Sequence, residues 1–91
     1  MIRAEIIVYG LVQGVGFRYF VLQKAQKLNL KGYTKNQYDG TVFTVVEGEK
    51  YLIEELFNQL KVGSTRSDVR DIKITWTSYA SEFTNFEIRR F

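Results

Sequence analysis

Apolar residues recur at every second position from the start of the chain. Ile2, Ala4, Ile6 and Val8 share one face, and Arg3, Glu5, Ile7 and Tyr9 share the other. A period of two over residues 2–9 predicts a β-strand. Glycines at 10, 14 and 16 interrupt it, and from Phe17 the period lengthens. Phe17, Phe20, Val21, Ala25 and Leu28 form one stripe of a helix. The stripe fades near Asn29, ahead of Gly32. Residues 31–37 and 41–47 read as two more strands. Tyr38-Asp39-Gly40-Thr41 lies between them, where Asp-Gly predicts a two-residue hairpin turn. Gly48 ends the second of these strands. Leu52, Ile53, Leu56, Phe57 and Leu60 mark one side of a second helix, with Glu54, Glu55 and Asn58 outside it and Gly63 as its C-terminal stop. Ser64-Thr65-Arg66-Ser67-Asp68 predicts a loop. Ile72, Ile74 and Trp76 alternate as a strand, and Phe86 and Ile88 belong to a short last strand within residues 85–91.

This order is strand, helix, strand, strand, helix, strand, with a short strand added. It fits an α+β, ferredoxin-like split βαβ sandwich: an antiparallel sheet carrying two helices on one face. Residues 1–91 read as a single domain, with no repeats and no linkers. In this topology the first and second strands run parallel with the third between them, so their C-terminal ends meet at one edge of the sheet. The glycine-rich segment and the end of strand two are therefore expected to be neighbours.

Composition narrows the chemistry. The chain has 91 residues, 45% of them hydrophobic, enough for a core in one small domain. It contains no Cys, which excludes disulfides and thiolate zinc sites. It contains no His, which excludes histidine acid–base chemistry, Ser–His triads and His-ligated metals. No apolar run approaches the roughly 20 residues of a membrane span, and the N-terminus lacks a signal-peptide layout, so a cytoplasmic location is expected. The net charge of +3 suits an anionic small molecule and equally a weak nucleic-acid contact.

Gly10-Leu11-Val12-Gln13-Gly14-Val15-Gly16-Phe17-Arg18 joins a strand directly to a helix. The first amides of a helix lack internal partners and point outward with the positive end of the dipole, a natural anion site. Glycines let the backbone take positive φ and approach a ligand closely. Arg18 falls in the first turn, where a cation opposes the dipole, and its planar fork matches two phosphate oxygens. Taken alone, the segment fits either an anion cradle or a tight turn beside a surface arginine. It is neither a Walker A motif nor a dinucleotide fingerprint. Asn36 shares parity with Thr34, and hence the helix-covered face, near the end of strand two. It reads either as a water-holding amide or as an ordinary Asn beside a turn.

Residues 8–18 resemble the signature of the acylphosphatase family. Gly32-Tyr33-Thr34-Lys35-Asn36, followed by Gly40-Thr41-Val42 and Gly48, resembles that family's second signature. One position departs: Thr34 stands where the family usually has Val, Ala or Cys, and its hydroxyl needs a partner. The resemblance implies a small-molecule acyl phosphate as substrate and inorganic phosphate as product. It implies Arg18 binding the phosphate, Asn36 orienting the attacking water, and backbone amides of Gln13, Gly14, Val15, Gly16, Phe17 and Arg18 completing the cradle. No metal, cofactor, nucleic acid or membrane is expected, and the chain is expected to be a monomer.

Two other functions remain to be weighed. An RNA-recognition module shares this topology, and Lys31-Gly32-Tyr33 resembles the start of its RNP1 motif. Thr34-Lys35-Asn36-Gln37 then lacks the required aromatics, which leaves Tyr9, Phe43 and Val45 as a stacking platform. A sensor that keeps the fold without turnover would have no reason to retain both Arg18 and Asn36. Glu54 and Glu55 read as solvated helix surface, and Asp68 and Asp71 as loop or strand-edge charges rather than a metal pair. Arg89 and Arg90, ahead of Phe91, either guard an edge strand or support the site.

Overall fold

The computed structural model describes residues 1–90. Its elements are β1 (Ile2–Leu11), α1 (Phe17–Lys27), β2 (Lys31–Asn36), β3 (Val42–Gly48), α2 (Lys50–Val62), β4 (Asp68–Thr77) and β5 (Phe86–Arg89). They form one sheet in the order β4-β1-β3-β2-β5. This is the expected ferredoxin-like arrangement, with β3 between the parallel β1 and β2.

The predicted parity holds where the core is made. Ala4, Ile6 and Val8 of β1 are fully buried. Across the ladder they sit opposite Trp76, Ile74 and Ile72 of β4. On the other side Ala4 and Val8 face Val46 and Val42 of β3. Phe17, Val21 and Ala25 of α1 and Ile53, Leu56 and Leu60 of α2 cover this face. Each such side chain contributes roughly 1.5–3 kcal/mol if fully buried and larger than alanine. Thr34 lies in this core, and its hydroxyl meets that of Thr44 at 2.9 Å, the partner its polarity requires.

Three boundaries and one pairing direction differ from expectation. β1 runs on through Gly10 to Leu11 across an irregularity between Tyr9 and Gly10. Gly10, at φ +125°, makes this continuation fit, because a Cβ there would stand 2.0 Å from the Asp68 carbonyl oxygen. Asp68 accordingly opens β4, paired with Leu11, and is not loop. The β2–β3 connection spans residues 37–41 and is closed by the Gln37 amide donating to the Thr41 carbonyl at 2.9 Å. It exceeds a two-residue turn because Asp39 folds back and accepts from the Thr41 amide and hydroxyl at 3.0 and 2.6 Å. Finally, β5 pairs with β2 in parallel, so the sheet is antiparallel except at that edge. The end of the predicted last strand, Phe91, lies outside the described residues.

β4 and β5 occupy opposite edges, so residues 78–85 must cross the sheet, and they cross on the helix-free face. Glu47, almost fully buried on β3, holds them there. Its carboxylate accepts from the amides of Ala80 at 2.8 Å and Glu82 at 3.0 Å, and Arg3 bridges it to Glu82. The Glu82 hydrogen bond, with the charges of Glu82 and Glu47 behind it, raises the Arg3 pKa further above its ordinary value despite partial burial.

Candidate active site

The segment between β1 and α1 is anchored at both ends. Val12 and Phe17 are buried in the core, and Val15 packs against it. Gly14 and Gly16 both take left-handed φ, +74° and +75°, with open space where a Cβ would stand. Gly16 is the N-cap of α1. Among the described residues no side chain caps this end, and no acidic residue lies in its first turn. The first amide to close a helical bond is that of Phe20, onto the Gly16 carbonyl at 3.1 Å. The amides ahead of it sit at the positive end of the helix dipole.

Arg18 and Asn36 line one cavity of about 190 Å³ together with Gly14 and Gly16. The Arg18 Nη1 donates to the Arg89 carbonyl at 3.0 Å. This ties the guanidinium to the end of β5 while leaving its other donors unused by that bond. Asn36, the last residue of β2, keeps its Oδ1 buried, and that oxygen has no hydrogen-bond partner among the described residues. A buried carbonyl oxygen left this way is costly in a fold without function. Asn36 lines the cavity, and its Oδ1, buried behind that wall, is an acceptor still without a donor among the described residues. Among the described residues, no group of three or more His, Cys, Asp or Glu side chains is placed to hold a metal ion.

The side chain of Gln13 does work that sequence reading missed. Its Nε2 donates to the carbonyls of Gln37 at 2.7 Å and Thr41 at 2.9 Å, binding the glycine loop to the β2–β3 connection. Thr41 is in turn held by Asp39 and by Gln37, whose Nε2 reaches its hydroxyl at 2.9 Å. The hydroxyl bond and the amide bond from Thr41 hold the Asp39 carboxyl below its ordinary pKa. A signal for Gln13 existed, since it is the one polar side chain between Gly10 and Phe17. The part played by Arg89 was not legible, because it acts through a backbone carbonyl that any residue offers. Its side chain lies on the opposite face, over the Tyr33 ring at 4.0 Å and bonded to Glu87.

The remaining candidates keep simple surroundings. Glu54 and Glu55 are exposed. Asp68 pairs with Arg70, and Asp71 accepts from the Ile72 amide. Of the three platform residues, Val45 is buried, while Lys73 and Lys35 sit over the rings of Tyr9 and Phe43.

A family model described as Acylphosphatase matches residues 4–88. The chain belongs to the acylphosphatase family. It is 40% identical over 89 residues to an acylphosphatase of Moorella thermoacetica, covering 98% of this chain and 95% of the relative. Its fold superposes on the crystal structure of acylphosphatase from Bacillus subtilis with a TM-score of 0.94 at 40% identity, over 98% of this chain and 99% of the other. An acylphosphatase structure from Coxiella burnetii gives 0.91 at 32% identity, over 97% and 92%. Membership makes the chain a hydrolase. Among the described residues of this acylphosphatase-family chain, no helix is long and apolar enough to cross a membrane.

Proposed function

We propose that the chain hydrolyses the carboxyl–phosphate bond of acyl phosphates without a metal ion, holding the phosphate with Arg18 and the amides of residues 13–18 and orienting water with Asn36. The observation that carries this reading is a single cavity lined by the glycines of an uncapped helix N-terminus, by Arg18 and by Asn36, whose buried Oδ1 lacks a partner among the described residues.

The chemistry asks little of the side chains. A carboxylate leaving group, whose conjugate acid has a pKa of about 4–5, departs without a general acid. Water held by the Asn36 Oδ1 attacks phosphorus. The bond from phosphorus to the acyl oxygen breaks, and its electron pair leaves on the carboxylate. One proton of the water passes to a non-bridging phosphate oxygen, so the products are a carboxylate and dihydrogen phosphate. The transition state is loose, with charge on the equatorial oxygens. Fixed amides and a guanidinium stabilise that charge without reorganising.

The test is turnover of acetyl phosphate in the presence of EDTA. Undiminished hydrolysis is expected, and strict metal dependence overturns the reading. Asn36→Asp places a carboxylate beside an anionic substrate in nearly the same shape. It is expected to lose most activity, and full activity in that variant removes the role given to Asn36.

A further inference from the structure

The helix-free face of the sheet is covered only in part. The crossing of residues 78–85 closes the half around Glu47 and Tyr33, where Phe83 meets the Tyr33 ring at 5.8 Å. The half toward the C-terminal end of β1 carries no further layer among the described residues. There Lys73, Ile7, Phe43, Lys35 and Arg89 lie opposite one another in a single row across all five strands. Tyr9 follows Ile7 two positions along β1 and shares its face. An uncovered antiparallel face is ordinarily polar. This one holds two half-buried rings, Tyr9 and Phe43, with Ile7 between them.

Each of the two rings has a cation on it. The Lys73 Nζ stands 5.4 Å from the Tyr9 centroid, and the Lys35 Nζ stands 5.9 Å from that of Phe43. Among the described residues neither lysine has a carboxylate partner. The carboxylates of this face are engaged elsewhere. Asp71 accepts from the Ile72 amide, Glu87 is bonded to Arg89, and the charge of Glu5 acts on Arg3. Two rings are thus left in the open beside two ammonium groups without counter-ions.

Flat apolar rings interleaved with cations match a flexible chain of flat bases joined by anions. Tyr9 and Phe43 stand on adjacent strands, diagonal to one another and about 7–8 Å apart, a spacing that two successive unstacked bases can take. Bases on the rings and phosphates on the neighbouring lysines engage all four side chains at once. A duplex keeps its bases stacked on each other and cannot use the rings. Beyond hydrolysis at the opposite face of the sheet, we infer that Tyr9, Phe43, Lys35 and Lys73 form a binding site for single-stranded nucleic acid.

The experiment follows the fluorescence anisotropy of labelled oligouridylate, oligothymidylate and a duplex of the same length over a range of salt concentrations. The single strands are expected to bind with a Kd of about 1–100 µM at low salt. Tyr9→Leu and Phe43→Leu keep apolar bulk for the fold but lose the ring, and each is expected to weaken binding about tenfold. Lys35→Ala and Lys73→Ala are each expected to reduce the salt slope by about 0.7. These surface changes test the site independently should a leucine variant fail to melt cooperatively. Lys27→Ala, at the exposed end of α1, and Arg18→Ala, in the phosphate cavity, are expected to leave binding unchanged. A preference for the ribose or the deoxyribose strand supports the site and names its ligand. The inference is overturned by no binding up to about 1 mM protein, by equal binding of the duplex, or by unchanged affinity in both leucine variants. An unchanged slope in both lysine variants overturns it too, as does a loss in Arg18→Ala or Lys27→Ala equal to theirs. Turnover of acetyl phosphate by the wild type is independent of all these outcomes, so failure here leaves the proposed function standing.

Discussion

Arg18 stands where a cation meets the positive end of a helix, a placement that costs about 0.3–1 kcal/mol at a surface unless an anion offsets it. Its one hydrogen bond among the described residues, to the Arg89 carbonyl, involves an exposed side chain. Removing the guanidinium should therefore leave the fold intact or slightly more stable. On the proposed mechanism the same change removes a donor to developing charge, and the expected loss in kcat/KM for acetyl phosphate is about 100- to 1,000-fold in Arg18→Ala. Lysine restores the charge without the fork, so Arg18→Lys should recover only part of this. A thermal melt beside the kinetics separates the two effects, and full activity in Arg18→Ala contradicts the assignment. Thr34 poses the opposite case, a polar atom with no part in the chemistry. Its hydroxyl and that of Thr44 satisfy one another inside the core. Thr34→Val leaves the Thr44 hydroxyl buried alone and should cost about 1–2 kcal/mol. Replacing both by Val should return most of that loss. Denaturant unfolding of the two single variants and the double one measures the coupling, and strict additivity would show that the two hydroxyls do not depend on each other.

Between elements, the site depends on how well the glycine loop is held to the β2–β3 connection. The amide of Gln13 spans the gap with two donations, to Gln37 and Thr41. Gln13→Glu keeps the shape but turns two attractions into carboxylate–carbonyl repulsions. It should lower kcat/KM about tenfold or more through misplaced loop amides, since small displacements of positioning groups are costly. Activity equal to wild type in Gln13→Glu would mean that the loop keeps its geometry unaided. The far side of this tie has a pH signature. The hydroxyl and amide of Thr41 stabilise the ionised Asp39, so its folded pKa lies below the usual 3.8. The resulting stabilisation is fully present above the unfolded value and is lost as pH falls through the folded one. An NMR titration of the Asp39 carboxyl should place its midpoint under 3.8, and a midpoint at or above that value would contradict the hydrogen bonds described. Most of this arrangement was legible in the sequence, for a definite reason. Period-two and helical patterns set element type and facing, and element order alone brings the end of β2 beside the loop after β1. The length of the 37–41 connection was not legible, because it depends on Asp39 capping Thr41 rather than on the Asp-Gly pair.

At the scale of the whole molecule, what escaped the sequence is the crossing of residues 78–85. A glutamate at an outward-facing position of an alternating strand reads as solvated, and Glu47 fits that reading until the chain is known to return over it. The return follows from β4 and β5 ending at opposite edges, which no local pattern encodes. Once in place, the crossing converts Glu47 into a buried carboxylate that closes the helix-free face, with two amides and Arg3 as its partners. Glu47→Ala strands both amides and one side of Arg3. A full buried-pair loss is about 3–5 kcal/mol, but Arg3 remains part-exposed and keeps Glu82, so about 2–4 kcal/mol is expected here. For a domain of this size each kcal/mol corresponds to about 4–8 °C, so Tm should fall by about 10 °C or more. Glu47→Gln keeps one acceptor oxygen and the packing, and should cost about half as much. Because the cavity lies on the other face of the sheet, the folded Glu47→Gln enzyme should retain kcat/KM for acetyl phosphate within about threefold of wild type, less than 1 kcal/mol of barrier. A Tm equal to wild type in Glu47→Ala would show that the crossing is held by its aromatic contacts, chiefly Phe83 against Tyr33 at 5.8 Å. A collapse of activity in folded Glu47→Gln would show that the two faces communicate, with Arg89 the natural link, since its side chain lies on Tyr33 while its carbonyl holds Arg18.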